Sequence, residues 1–152
     1  MGSRRLLAAL AAVLSSAACA TTAQAGLVHF RSPSGNINCL LGAGNGSPSF
    51  ADCLVKQHAW PHHPAKPARC DLDFDPFDIG LSGTQVYVGS CRGDIGPLCG
   101  PGTERCTVLG YGRSVTQGGI RCTSAQSGVT CRRLTGRHVG FRIAREGYVV
   151  WR

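Results

Sequence analysis

Apolar and polar positions alternate along most of this chain with a period of two, and no stretch after residue 25 carries an apolar face of helical period. Leu27 to Phe30 reads as a short strand, closed by the turn Ser32-Pro33-Ser34-Gly35. Asn36-Ile-Asn-Cys-Leu-Leu41 puts Ile37 and Cys39 on one face, and Phe50 to Val55 aligns Ala51, Cys53 and Val55. Asn45-Gly46 between them is a hairpin signal, so Cys39 and Cys53 should face each other across one hairpin. Lys56 to Arg69, with three prolines and three histidines, predicts an irregular loop. Asp71-Leu-Asp-Phe-Asp75-Pro-Phe-Asp78 alternates acid with apolar residues and predicts a strand with an acidic outer face, and Thr84 to Cys91 predicts the next. Short strands are expected at Thr107–Leu109 and Ser114–Thr116, either side of Gly110-Tyr-Gly112. His138 to Ile143 groups Val139, Phe141 and Ile143 opposite His138 and Arg142, and Tyr148 to Trp151 closes the series. Short strands punctuated by Gly and Pro turns predict an all-β fold: a small, disulfide-stabilised antiparallel sandwich or barrel, in a single domain.

The clearest local unit is Gly119 to Leu134. Gly119-Ile-Arg-Cys122 and Gly128-Val-Thr-Cys131 flank a small polar turn, and Gly35-Asn-Ile-Asn-Cys39 is a variant of the same phrase. A β-branched residue two before a cysteine lies on the cysteine's face and packs beside its disulfide. If Ala125 to Gly128 forms a four-residue turn, Cys122 and Cys131 stand directly opposite. If Gly128 is instead a bulge after a three-residue loop, the register slips and the pair becomes diagonal.

The N-terminus changes the picture of where the domain starts. Arg4-Arg5, an apolar run from Leu6 to Ala18, and Ala23-Gln24-Ala25 make a secretory signal, with the mature chain expected from Gly26 to Arg152. The rival is a lipid anchor on Cys19, which the Ser16 three residues before it disfavours. No other run approaches the roughly 20 apolar residues of a membrane span. Eight cysteines follow the signal: Cys39, Cys53, Cys70, Cys91, Cys99, Cys106, Cys122 and Cys131. An even set on an exported chain predicts disulfides, here paired with nearest neighbours. Zinc is the weaker use, since there is no Cys-x-x-Cys pair. Gly numbers 20 and Leu, Ile, Val and Phe together 29 among residues 26–152, so the core is thin and the disulfides carry much of the stability. The expected setting is secreted or extracellular.

Charge is divided unevenly. Residues 26–104 balance to −2, whereas residues 105–152 hold nine arginines against Glu146 alone, a balance of +8. Such a half suits an anionic partner, a cell-wall polymer or a membrane surface, with Arg121, Arg132 and Arg142 as the binding residues. Nucleic acid is the poorer partner, because only Tyr111, Tyr148 and Trp151 could stack on bases.

Phe30-Arg-Ser-Pro-Ser-Gly-Asn-Ile-Asn-Cys39, Leu109-Gly-Tyr-Gly112, Gly119-Ile-Arg-Cys122, Ser127-Gly-Val-Thr-Cys131, Thr135-Gly-Arg-His-Val-Gly-Phe141 and Arg145-Glu-Gly-Tyr148 resemble the motifs of a family of small secreted proteins of high-GC Gram-positive bacteria. The resemblance spans nearly the whole mature chain and implies export and one domain. The family has no assigned activity, so no functional residue is carried over.

Arg92-Gly93-Asp94 matches an adhesion tripeptide but reads better as an ordinary turn. His58, His62 and His63 could ligate a metal, and Asp71, Asp73, Asp75 and Asp78 could ligate calcium. Solvation and strand alternation explain both sets more simply, and no metal or other cofactor is expected. His138, Arg142 and Glu146 are the most enzyme-like set: an acid, an anion holder and a base, as in small secreted ribonucleases. The favoured expectation remains a non-catalytic binding or structural module, with a small nuclease-like hydrolase as the alternative.

Overall fold

The computed structural model describes residues 26–43, 46–94, 96–100 and 106–152. The signal segment, Cys19 and the Asn45 half of the hairpin signal lie outside these residues. Eleven strands and no helix occur among them: β1 (Leu27–Arg31), β2 (Ile37–Gly42), β3 (Phe50–Val55), β4 (Asp73–Ser82), β5 (Gln85–Arg92), β6 (Cys106–Val108), β7 (Ser114–Gln117), β8 (Ile120–Ala125), β9 (Gly128–Arg133), β10 (Gly140–Ile143) and β11 (Tyr148–Trp151). They form two sheets, ordered β5-β4-β3-β2-β1-β6 and β11-β10-β9-β8-β7. Every pairing is antiparallel except β1 with β6, which is parallel and so departs from the expected all-antiparallel pattern. The exception has a physical cause: β6 reaches β1 through a long connection rather than a hairpin.

The sheets enclose one core. Phe30, Ile37, Leu41, Ala51, Val55, Ile79 and Leu81 face inward from the first sheet, and Ile120, Val129, Phe141 and Ile143 from the second. The residues two before the repeated cysteines, Ile37, Ile120 and Val129, are all in this set, as period-two geometry requires. All four disulfides are the nearest-neighbour pairs: Cys39–Cys53, Cys70–Cys91, Cys99–Cys106 and Cys122–Cys131. Cys39 lies opposite Cys53, and Cys122 opposite Cys131, each pair with Cα atoms 4.1 Å apart. That spacing suits the close, non-hydrogen-bonded sites of an antiparallel ladder. Ala125 pairs with Gly128, so the four-residue turn holds and the bulge alternative falls. The two buried staples then meet between the sheets, with Cys53 Sγ 3.9 Å from Cys131 Sγ.

The loop between β3 and β4 is irregular, as its prolines dictate, but it is pinned. Trp60 closes one side of the sandwich against Phe77 and Tyr148, and its Nε1–H donates to the Ala144 carbonyl at 2.8 Å. At the opposite end Gly118 and Gly119, both with positive φ, form the two-residue β7–β8 turn. A Cβ on Gly118 would also strike Ser49 and Ala43 of the other sheet's loop. Three more glycines face aromatic partners directly across a hairpin: Gly42 with Phe50, Gly80 with Tyr87 and Gly140 with Trp151. In each case a Cβ would collide with the ring, so the missing side chain lets the aromatic lie flat on the strand.

The strand expected to be acidic on its outer face needs correction. Asp73 begins β4, and a register shift between Asp75 and Ile79 interrupts the alternation. Asp78 therefore lies fully buried on the far side of the sheet from Ile79, rather than in solvent.

Candidate functional site

Two groups of polar side chains stand out, one on the outer side of each sheet. On the first sheet, β3 supplies Asp52, β4 supplies Asp78 and β5 supplies Tyr87 and Arg92. The Arg92 guanidinium lies 2.9 Å from Asp52 Oδ2, pairs closely with Asp78 Oδ2, and approaches exposed Asp94 at 3.8 Å. Burial pushes the Asp52 carboxyl above its ordinary range, although Arg92 and the Tyr87 hydroxyl pull the other way. Burial and the neighbouring Asp52 carboxylate likewise push the Tyr87 phenol up. Asp52 Oδ1 and Asp78 Oδ1 meet no hydrogen-bond donor among the described residues. Arg92 is thus committed to holding the sheet together, which removes the Arg92-Gly93-Asp94 tripeptide from use as a free loop tip. Local reading missed this cluster because its members are 40 and 14 residues from Arg92 in sequence and meet only through sheet pairing.

On the second sheet the outward positions form two cross-strand rows. One row is Thr116, Arg121, Arg132, Gly140 and Trp151; the other is Ser114, Thr123, Thr130, Arg142 and Val149. The rows follow from period-two alternation, because Ile120, Cys122, Val129, Cys131, Phe141 and Ile143 all point into the core. Arg121 and Arg132 are directly opposed, and Arg142 sits diagonal to Arg132, two residues along on the next strand. All three are exposed, and none pairs with a carboxylate among the described residues. Arg121 Nε donates to Thr116 Oγ1 at 3.4 Å, and Ser114 and Thr123 hydroxyls bond at 2.7 Å. A cleft of about 480 Å³ opens on this face, lined by Thr123, Thr130, Arg132, Arg133, His138 and Trp151.

The enzyme-like set divides between two places. His138, just before β10, lines the cleft with Arg132 and Trp151, and no carboxylate lines it. Glu146, in the β10–β11 turn, lines a second cleft of about 280 Å³ with Ser34, Asn36, Gln57 and Arg145. Arg142 lies on β10 between them and lines neither. The structure brings His138 to Arg132 and leaves Glu146 beyond the other end of β10.

The histidine-rich loop packs against an aromatic. His58 stacks on Phe77 with centroids 3.3 Å apart, and His63 tilts against the same ring at 5.1 Å. Among the described residues, the only cysteine, histidine and carboxylate atoms clustered as ligands could be are those of Cys39, Cys53 and Cys131, whose sulfurs are bound in disulfides. Asp71, Asp73, Asp75 and Asp78 form no such cluster. The place of Trp151 in the His138 cleft, opposite Gly140, was not read from the sequence. The signal was available in the β10–β11 turn: pairing Ile143 with Tyr148 necessarily sets Gly140 opposite Trp151.

The fold and both outer faces define a small β-sandwich stapled within each sheet, with an arginine-bearing face on the second. The chain belongs to a family of unknown function: the family model described as "Family of unknown function (DUF6636)" matches residues 6–151. No curated protein and no solved structure matches the chain.

Proposed function

We propose that this domain is exported and acts as a non-catalytic binding module, holding an anionic polymer outside the cell on the outer face of its five-stranded sheet. Direct opposition of Arg121 and Arg132 is the observation that carries this reading. Like charges facing each other across a ladder cost stability, on the order of several tenths of a kcal/mol. Here the Cys122–Cys131 disulfide lies beside them and holds that register. A multivalent anion removes the repulsion and gains charge-assisted hydrogen bonds from both guanidinium groups. The serine and threonine positions of the two rows favour a hydrated polymer over a lipid surface, since Val149 and Trp151 are the only large apolar side chains there. Export is supported by four disulfides, which persist outside the reducing cytoplasm.

The test is retention on anionic polymer against salt. Replacing Arg121, Arg132 and Arg142 together by Gln should weaken binding by at least about tenfold at low ionic strength, while Arg69→Gln should not. Equal retention of the triple variant would refute the reading, as would tighter binding to anionic phospholipid vesicles than to polymer. Turnover of RNA by the wild-type protein, abolished in His138→Ala, would replace it with the hydrolase alternative.

A further inference from the structure

Within that proposed anion-binding face, the geometry points to a specific subsite: the Trp151 cleft holds a sugar ring that carries a negative charge. The inference rests on the anion-binding reading and adds to it the chemical class of the ligand.

Trp151 differs from the chain's other glycine-backed aromatics in what surrounds it. Phe50 on Gly42, Phe74 on Gly89 and Tyr87 on Gly80 all belong to the six-stranded sheet, away from the arginine-bearing face. The Trp151 indole lies against Gly140, where a Cβ would come within 2.7 Å of the ring, so one face is supported by bare backbone. The half-buried ring then forms part of the cleft wall. Unlike Trp60, whose N–H is bonded to the Ala144 carbonyl, the Trp151 N–H meets no protein acceptor among the described residues. Around the ring stand Arg132, directly across Gly140, with His138 and the Thr123 and Thr130 hydroxyls. A supported aromatic plane suits the apolar face of a pyranose, because carbon-bound hydrogens are positively polarised and the ring face is negative. Side-chain hydroxyls and an imidazole suit its hydroxyl rim. The Arg132 guanidinium suits a carboxylate or phosphate substituent, and the Arg121 and Arg142 side chains continue the charge toward neighbouring repeats. A polyanion without sugar rings would use the arginines and leave the indole idle. A neutral glycan would use the indole and leave three cations unsatisfied.

The experiment uses the full mature domain carrying Trp60→Phe, so that emission reports Trp151 alone. Four probes of matched length are titrated at fixed ionic strength: a hexuronate oligosaccharide, a phosphodiester-linked hexose oligosaccharide, a neutral hexose oligosaccharide and inorganic polyphosphate. One or both charged glycans should shift the Trp151 emission and bind at least about tenfold more tightly than the neutral glycan or polyphosphate. The better of the two identifies the source of the charge. Trp151→Leu should weaken charged-glycan binding about tenfold and leave polyphosphate binding within about twofold. If Trp151→Leu affects charged glycan and polyphosphate equally, or affects neither, the sugar subsite is wrong while arginine-dependent binding stands. If polyphosphate, charged glycans and the triple arginine variant show no binding difference, both readings fall.

Discussion

Replacing Arg92 by Met removes the one cation that faces both Asp52 and Asp78, and retains most of the side chain's apolar length. Asp78 is fully buried, and the side chains of Arg92 and Asp52 are only 16% and 13% exposed, so water compensates poorly. Removing one partner from a buried ion pair costs about 3 to 5 kcal/mol, chiefly through the charge left behind. For a domain of this size that corresponds to a melting temperature lower by about 10 to 20 °C. The loss should depend on pH. The Asp52 carboxyl already sits above the ordinary 3.8 in the folded state. A raised carboxyl contributes stability while both states are protonated, and that contribution fades as pH rises from the unfolded value through the folded one. Taking Arg92 away raises the folded Asp52 value further, because the group that lowers it is gone. Each added unit costs about 1.4 kcal/mol at neutral pH and nothing below both pKa values. Urea denaturation of both proteins at pH 4, 5.5 and 7, without reductant, measures this. The deficit of the variant should be largest at pH 7 and clearly smaller at pH 4. Adding Asp78→Asn should recover part of it. A deficit under about 1 kcal/mol at pH 7, or one equal at pH 4 and pH 7, would refute the reasoning.

Other perturbations probe the frame. Converting Cys122 and Cys131 together to Ala should cost roughly 2 to 3 kcal/mol, the loop-closure value for so short a loop, measurable by chemical denaturation; reducing all four bridges should unfold the chain, and a melt unchanged by strong reductant would contradict that. Asn38 is buried between the Gly35 carbonyl, which its Nδ2 reaches at 3.2 Å, and the Cys99 N–H, which its Oδ1 accepts at 3.1 Å. Asn38→Ala should cost about 1 to 3 kcal/mol and raise amide exchange at Cys99, read by hydrogen-exchange mass spectrometry. Gly118→Val combines a strained positive φ with a clash against Ser49 and Ala43, and should lower the melting temperature more than the same change at Gly119, whose Cβ position is open.

Period-two alternation and turn chemistry were enough to derive the strands, their inward faces and both hairpin staples. These depend on neighbours within a few residues, and the Cys122–Cys131 register is set by two residues between Ala125 and Gly128. The outward direction of Arg121, Arg132 and Arg142 follows from the same parity, so the arginine face was legible before the fold was known. Three things belong to the tertiary structure alone. The register shift between Asp75 and Ile79 accompanies the change of Asp78 from an expected surface acid to a buried partner, because alternation cannot reveal where two extra residues interrupt the ladder. Arg92 leaves its apparent turn for the same reason: its two carboxylates arrive from strands β3 and β4. Finally, sheet order separates Glu146 from His138 and sets Trp151 and Gly140 beside Arg132, so the residues that share a cleft come from strands whose adjacency no local pattern encodes.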